Sequence, residues 1–187
     1  QDQYAGLLNA GFEVTGAVFT GNLTNVAGAN ALLFAVNEGV TSVSLAAGQT
    51  VTVGESTYLN YIGTPPSGPL TKISNLSSAQ IIVTGVDTSH VSAVLAASNV
   101  KSITVADSAA DISATLASTA VGQDPLTLNI AKITSITSDG SALSLTASEL
   151  ANSNVAKVLA KVSAPLTYTV SEVSAANAAS LVSTNSK

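Results

Sequence analysis

The sequence predicts an α/β fold, a short repeat solenoid in which parallel strands stack and short helices lie along one side. Strand-like segments at residues 81–86 and 102–107 follow each other closely, and each leads through Asp to Thr or Ser, which favour helix starts. Ala-rich stretches with apolar residues at helical spacing follow both segments. A unit of about twenty residues cannot bury its own apolar face, so stacked copies must bury it for each other.

The composition favours thin, regular layers of small side chains. Apolar residues make up 46% of the 187 residues but aromatic residues only 4%, so the core must consist of Val, Leu, Ile and Ala. Charged residues contribute 9%, against roughly 25% in an ordinary soluble domain, so Ser, Thr and Asn must keep the surface hydrated. This composition, without Cys, Met or Trp, is typical of a bacterial protein outside the cell or at its surface.

Charge and composition also exclude several classes of function. The net charge is −5 and the six cationic residues are all Lys, so we expect no binding to nucleic acid, which needs clustered cations. The absence of Cys excludes disulfides and thiolate metal sites. No run of eighteen apolar residues occurs, so we expect no insertion into a membrane. Because the chain starts with Gln1, we interpret it as a processed or excised segment.

A break in the sequence divides the chain into two predicted parts. Residues 64–69 contain three Pro and one Gly, which excludes a helix or a central strand there. We predict that residues 1–70 form an irregular N-terminal cap and that residues 71–187 form the strand–helix solenoid. The cap should contain a strand at 12–19, a helix at 26–36 and a strand at 40–47, whereas 50–61 fits either a strand or a helical turn.

The predicted solenoid has four main strands, at 81–86, 102–107, 142–147 and 167–172, which we expect to lie parallel in one sheet. The longest gap between them also holds strand-like pieces at 126–130 and 133–137. The clearest helix start is a capping box, in which the Thr146 hydroxyl and the Glu149 carboxylate satisfy two backbone N–H groups.

Two carboxylates are the candidate metal ligands. Asp87 and Asp107 end consecutive strands, so stacking would bring them to about 5 Å from each other. A divalent cation such as calcium could then bridge them with the help of backbone carbonyls. The alternative, which the sequence favours, is that each carboxylate caps the helix that follows it and that the chain uses no cofactor.

Other residues give weaker signals for chemistry. His90 is the only histidine, which excludes a site built on two His ligands. It follows Ser89 and Asp87 on a helix start, but a catalytic triad is defined by spatial roles and not by adjacency, so we interpret it as a surface residue. Tyr58 and Tyr61 could form a sugar-binding platform, although burial explains them better. We therefore expect no enzyme.

Three stretches support a resemblance to a known class: SITVADSAADISATL, KITSITSDGSALSLTASEL and YTVSEVSAANAASLV. Residues 72–185, which contain them, resemble the degenerate Ala/Ser/Thr-rich repeats of very large bacterial surface proteins, the type I-secreted, RTX-like adhesins and S-layer-like proteins of proteobacteria and cyanobacteria. The resemblance implies a structural module and not a chemistry. The chain has no GGxGxD nonapeptide, so the calcium ladder of RTX proteins carries over to no residue here.

Two functions remain open at this point. The first is a non-enzymatic structural or adhesive repeat module of a secreted or cell-surface protein, whose partners are neighbouring repeats or further copies of itself. The alternative is a module that binds cell-surface carbohydrate, or less plausibly ice, through rows of Ser and Thr on exposed strand faces. Ice fits less well because those positions mix Ser, Thr, Asn and Gln instead of forming a regular Thr array.

Overall fold

The structure is a computed structural model, and it describes residues 18–21, 42–45, 50–118, 120–163 and 166–175. Strand β1 (Val18–Gly21) pairs in parallel with strand β2 (Ser42–Leu45). Strand β2 lies inside the strand predicted at 40–47. The helix predicted at 26–36 and most of the strand predicted at 12–19 lie outside the described residues.

Four further strands form a parallel sheet in which their spatial order follows the chain. They are β3 (Thr50–Gly54), β4 (Gln80–Val86), β5 (Val100–Ala106) and β6 (Ile133–Thr137). Apolar residues alternate with polar ones because one face of each strand points into the core. In register, Thr50 lies opposite Gln80 and Ile103 lies opposite Ile133, so both pairs have the same spacing along the chain.

The last two predicted strands form a separate pair, so the expectation of one common sheet was wrong. Strand β7 (Leu143–Thr146) and strand β8 (Tyr168–Ser171) are parallel, as predicted, but they make a two-stranded sheet of their own. The place expected for β7 in the larger sheet is taken by β6. The chain then turns at Gly140, whose φ of 84° is a backbone conformation that other residues rarely adopt. Strand β7 follows this turn and begins the second sheet.

Short helices connect the strands. They are α1 (Glu55–Ile62), α2 (Val91–Leu95), α3 (Ala109–Ala117), α4 (Pro125–Leu128), α5 (Ala147–Ala151) and α6 (Ser153–Leu159). Three 3₁₀ turns add to them: Pro69–Lys72, Leu76–Ser78 and Thr88–His90. The ambiguous stretch 50–61 is thus both things in succession, a strand followed by a helix.

Side-chain caps set the first residues of two helices, α4 and α6, whose starts the spacing of apolar residues does not predict. The piece at 126–130 was predicted to be strand-like, but it lies largely in α4. Asp124 precedes α4, and its Oδ1 accepts the N–H groups of Leu126 (2.9 Å) and Thr127 (3.0 Å). Pro125 adds a φ angle suited to a first helical residue. Similarly, Asn152 ends α5 and caps α6, which divides one apolar run into two helices.

The capping box at the start of α5 is confirmed. The Thr146 hydroxyl oxygen accepts the N–H of Glu149 at 3.2 Å, and the Glu149 carboxylate accepts the N–H of Thr146 at 2.6 Å. Glu149 is only 3% exposed. A buried carboxylate is tolerated here because it accepts two hydrogen bonds from Thr146, one from its N–H and one from its hydroxyl.

The chain forms two compact units, each with its own aliphatic core. The first comprises Gln1–Thr84 and Ala96–Ser102, and the second Gly85–Leu95 and Ile103–Lys187. Fully buried residues of the described part of the first unit are Val51, Leu70, Ile81, Val83 and Val100. In the second unit they include Val86, Val94, Ile103, Val105, Ile112, Leu116, Leu126, Ile136, Leu143, Val155 and Val158.

Candidate functional site

A cleft of about 520 Å³ lies in the second unit, beside the residues that follow β4 and β5. Asp87 directly follows β4, Asp107 directly follows β5, and both line this cleft. The remaining lining residues are Thr88, Ser89, Asp111, Ala114, Thr115, Ser118 and Pro125. The carboxyl ends of parallel strands are a usual place for ligands. The structure thus brings the two residues singled out from the sequence to one cleft.

Asp107 holds the helical segment that follows the preceding strand. Its Oδ2 accepts the backbone N–H of Thr88 at 2.9 Å and the Thr88 hydroxyl at 2.7 Å. Its Oδ1 accepts the N–H of Ser108 at 2.8 Å. Thr88 begins a 3₁₀ turn that leads into α2, and it is only 4% exposed. The carboxylate therefore satisfies a buried N–H group at a helix start 19 residues earlier.

Asp139, which follows β6, makes the same kind of contact. Its Oδ1 accepts the N–H of Ala109 at 3.3 Å and the N–H of Ser141 at 3.0 Å. Ala109 is the first residue of α3 and lies 30 residues earlier in the chain. Asp107 and Asp139, which follow successive strands, thus each accept a hydrogen bond from the start of the helical segment that follows the preceding strand.

Hydrogen bonding keeps both carboxylates ionised. Burial favours the neutral form of Asp107, but the hydrogen bonds from Thr88 and Ser108, with another shared with Asp111, outweigh it and lower the pKa below 3.8. The pKa of Asp139 is lowered chiefly by the N–H of Ser141 and then by that of Ala109. Both side chains are therefore anionic at neutral pH and act only as acceptors.

The expectation that each carboxylate caps its own following helix was wrong. Asp87 stands at the N-cap position of the 3₁₀ turn, but its side chain makes no capping hydrogen bond there. Helix α3, after Asp107, is capped by Ser108, whose hydroxyl oxygen accepts the N–H of Asp111 at 3.0 Å. The reason is that the Thr88 N–H offers Asp107 a partner from another part of the chain, which no local pattern reveals.

Asp87 and Asp107 stay our predicted ligands for calcium. Oδ2 of Asp107 already accepts two hydrogen bonds and Oδ1 accepts one, so Oδ1 has the lone pair left for a cation. Asp111 lines the same cleft and could supply a third carboxylate. Calcium takes about six to eight oxygen ligands, so hydroxyl or backbone oxygens of the cleft would have to complete the set.

Tyr58 belongs to the core, whereas Tyr61 is half buried. Tyr58 is 1% exposed, and its ring lies 6.2 Å from that of Tyr61 at a tilt of 50°. Burial, followed by the proximity of Tyr61, raises the pKa of Tyr58. The prediction of burial is confirmed for Tyr58, which leaves its ring no face for a sugar. His90, half buried, ends the 3₁₀ turn beside the cleft residues Thr88 and Ser89.

A row of hydroxyl groups links neighbouring strands, and sequence reasoning did not find it. In each case a hydroxyl of the later strand donates to a backbone carbonyl of the earlier one. The donors and acceptors are Thr84 to Val53 (3.2 Å), Thr134 to Ile103 (3.0 Å), Thr169 to Leu143 (3.5 Å) and Ser171 to Leu145 (3.5 Å). The available signal was Thr or Ser at alternate positions of the strands, which the sequence analysis interpreted as a hydrated surface or as a surface for carbohydrate or ice.

Comparison of the chain with protein-family models, with curated proteins and with solved structures gave no match. Within the described residues, none of the helices has the length and apolar character needed to cross a membrane.

Proposed function

We propose that this chain is a non-enzymatic structural module of a secreted or cell-surface bacterial protein, in which strand–helix turns stack as a short solenoid. The observation that carries the proposal is the repeated parallel spacing. Thr50 lies opposite Gln80, and Ile103 lies opposite Ile133 at the same interval along the chain. Leu143 lies opposite Tyr168 at a slightly shorter interval. Between these pairs, β4 is followed by its neighbour β5 after a shorter interval, since the two strands begin at Gln80 and Val100. A chain that returns in parallel several times in succession winds in turns, although these turns differ in length.

Contacts away from the strands support the same winding. The N–H of Ser144 donates to the Ser113 hydroxyl oxygen at 2.9 Å, and these residues are 31 positions apart. The side-chain amide of Asn152 donates to the carbonyl of Val121 at 3.4 Å, again across 31 positions. Helix α3 thus contacts strand β7, and the cap of α6 contacts the segment before α4, in both cases about one turn along the chain. Contacts between successive turns of this kind are expected in a solenoid.

Three kinds of bond make such a stack suitable for a mechanical role. Backbone ladders join the parallel strands, hydroxyls of one strand donate to carbonyls of the strand before it, and Asp107 and Asp139 hold the helix starts of the preceding turn. Backbone groups, hydroxyls and carboxylates of one strand–helix turn thus bond to the neighbouring strand–helix turn. The surface location and the adhesive or lattice role rest on the composition and on the resemblance to large bacterial surface repeats.

Native-state hydrogen exchange tests the proposal. In a stack, each turn contacts only its neighbours, so local damage spreads only locally. Leu145→Ala in β7 should speed exchange of β7 and β8 amides by about tenfold and leave β4 within about twofold. The matched variant Val83→Ala in β4 should do the reverse. Equal acceleration of the same amides by both variants would mean that the chain opens as one cooperative body, and the proposal would fail.

Carbohydrate binding is the second candidate, and the cleft is the observation that favours it. Its volume of about 520 Å³ lies in the range of small-ligand sites. The ionised carboxylate of Asp107 and the hydroxyl of Thr115 could bond to sugar hydroxyls. Titration calorimetry with neutral oligosaccharides, with and without calcium, tests it: heat that disappears in Asp111→Ala supports it, and no heat at millimolar sugar contradicts it.

A further inference from the structure

The turn between β6 and β7 contains the one Asp–Gly pair of the sequence, Asp139 with Gly140. Both residues and the following Ser141 are exposed. Asp139 Oδ1 accepts the N–H of Ser141 at 3.0 Å, so the side chain folds back over the peptide bond that follows it. The ring closed by this hydrogen bond contains the carboxyl carbon of Asp139 and the backbone nitrogen of Gly140. The turn thus brings together the two atoms that a cyclic imide would join.

At two other aspartates, hydrogen bonds occupy the nitrogen that would have to react. An imide forms only if the nitrogen after an aspartate gives up its proton and turns toward the carboxyl carbon. The nitrogen after Asp87 belongs to Thr88 and donates to the Asp107 carboxylate at 2.9 Å. The nitrogen after Asp107 belongs to Ser108 and donates to the same carboxylate at 2.8 Å. Both nitrogens are therefore held away from the reaction.

The remaining described aspartates are blocked in different ways. The nitrogen after Asp111 belongs to Ile112, and it donates to the carbonyl of Ser108 at 3.0 Å within the first turn of α3. The residue after Asp124 is Pro125, whose nitrogen carries no proton and cannot close an imide. Neither site offers a nitrogen that can react.

Gly140 differs from these residues. Its N–H donates to Ser138 Oγ at 3.4 Å, which is longer than a typical N–H···O hydrogen bond. Glycine has no side chain beside the reacting nitrogen, and a Cβ built there would meet no atom within 4 Å. Asn152 also accepts the N–H two residues on, but its successor Ser153 carries a side chain and begins α6. The glycine and its weakly held N–H therefore distinguish the turn at Asp139.

From these contacts we propose that Asp139 and Gly140 form a site of spontaneous isoaspartate formation. The Gly140 nitrogen loses its proton and bonds to Cγ of the protonated Asp139 side chain, whose hydroxyl leaves with that proton as water. One water then opens the succinimide. Attack at the former backbone carbonyl breaks its bond to nitrogen and gives isoaspartate, whereas attack at Cγ restores aspartate. The water released in the first step is balanced by the water consumed in the second.

Isomerisation should remove a bond between successive strand–helix turns. Asp139 Oδ1 also accepts the N–H of Ala109, the first residue of α3, at 3.3 Å, and Ala109 is 0% exposed. Isoaspartate adds a methylene group to the backbone and moves the carboxylate onto Cα, so the acceptor for this buried N–H is displaced. The start of α3 should therefore loosen as the protein ages, an effect that rests on the stacked module proposed above.

The test is incubation of the full chain for several weeks at physiological temperature, followed by mapping of isoaspartate. An Asp-specific protease does not cut at isoaspartate, and enzymatic methylation labels the isoaspartyl carboxylate. We expect isoaspartate at Asp139 at about ten times or more the level found at Asp87, Asp107, Asp111 or Asp124. No isoaspartate at Asp139, or an equal level at the aspartates whose following nitrogens are held, overturns the proposal.

Two variants test the ring closure itself. Asp139→Glu keeps a carboxylate in the turn but needs a six-membered ring, so it should stay unmodified. Asp139→Asn forms the same five-membered ring with ammonia as the leaving group and should react about tenfold or more faster than the wild type. Asn152 of the same chain is the internal comparison and should keep its amide. If Asp139→Asn retained its new amide as long as Asn152 does, the turn would not permit the attack and the proposal would fail.

Hydrogen exchange of the isomerised fraction, separated by ion-exchange chromatography, tests the consequence. The Ala109 amide should exchange about tenfold faster than in the unmodified chain, and the Val155 amide in α6 should stay within about twofold. Unchanged exchange at Ala109 in the isomerised chain would refute the loosening of α3. Failure of the stacked module is detected separately, in unmodified chains that carry Leu145→Ala or Val83→Ala.

Discussion

Strands β5 and β8 show the same alternation of apolar and polar residues but differ in how well they are covered. In β5, the inward residues Ile103 and Val105 are both 0% exposed, because β4 and β6 flank the strand. In β8, which has one described neighbour, Tyr168 and Val170 are half buried. Alternation therefore indicates which face points inward, and the neighbouring strands decide how much of that face is removed from water.

The largest expected effect on stability comes from a substitution in β5, the fully covered strand of this comparison. Ile103→Ala should lower the free energy of unfolding by about 3 to 4 kcal/mol, since it opens a cavity under a doubly flanked strand. Val170→Ala in β8 should cost less than about 1 kcal/mol, because Val170 is only half buried. Urea denaturation of both variants checks the difference. Equal losses would show that β8 is as well covered as β5.

A smaller effect concerns the carboxylate that links two turns. Asp107→Ala removes the acceptor of the buried Thr88 N–H and should cost about 1 to 3 kcal/mol. Asp107→Asn should recover part of the loss, because an amide oxygen can still accept. Ser89→Ala, at an exposed position that lines the same cleft, is the control and should cost about 0.5 kcal/mol or less. A control as damaging as Asp107→Ala would argue against the link to Thr88.

The same carboxylates predict a dependence of stability on pH. The pKa values of Asp107 and Asp139 are lower in the folded chain than the ordinary 3.8, so the unfolded chain binds protons first as the pH falls. Their contribution is complete above the unfolded pKa and is lost as the pH falls through the folded pKa. The urea midpoint should therefore be level from pH 8 to about pH 5 and decline below about pH 4. Asp107→Asn combined with Asp139→Asn should make that decline shallower, and an unchanged decline would contradict the assignment.

The smallest effect concerns the hydroxyl row. Thr134→Val keeps the shape of the side chain but removes its bond to the carbonyl of Ile103, and it should cost about 0.5 to 1 kcal/mol. Thr137→Val, an exposed position of the same strand, serves as the comparison and should be close to neutral. Thermal unfolding followed by circular dichroism measures both. A neutral Thr134→Val would mean that the hydroxyls only hydrate the surface.

Part of the fold and of the site could be predicted because the controlling signals are local. The alternation at 81–86 and 102–107 located β4 and β5, and the capping box at Thr146 located the start of α5. Asp87 and Asp107 were found to share a cleft because they end neighbouring parallel strands.

The remainder depends on partners that lie far along the chain. The role of Asp107 depends on the N–H group of Thr88, 19 residues earlier in the chain. The residues next to Asp107 in the sequence do not indicate this partner. The second sheet follows the turn at Gly140, and the sequence of β7 does not show that this strand pairs with β8 alone instead of joining the larger sheet. Helix α4 was missed because the buried cap at Asp124 overrides an alternating pattern that resembles a strand.

The most direct test of the account is cysteine cross-linking between β5 and β6, in a chain that has no cysteine of its own. The central claim is that the chain returns in parallel after one turn, with Thr104 opposite Ser135 and Ala106 opposite Thr137. Double cysteine variants at these two pairs should form disulfides rapidly, since adjacent strands lie about 5 Å apart. The exchanged pairs, Thr104 with Thr137 and Ala106 with Ser135, should stay reduced. Cross-linking of the exchanged pairs in place of the registered ones would mean antiparallel strands and would contradict the stacked module.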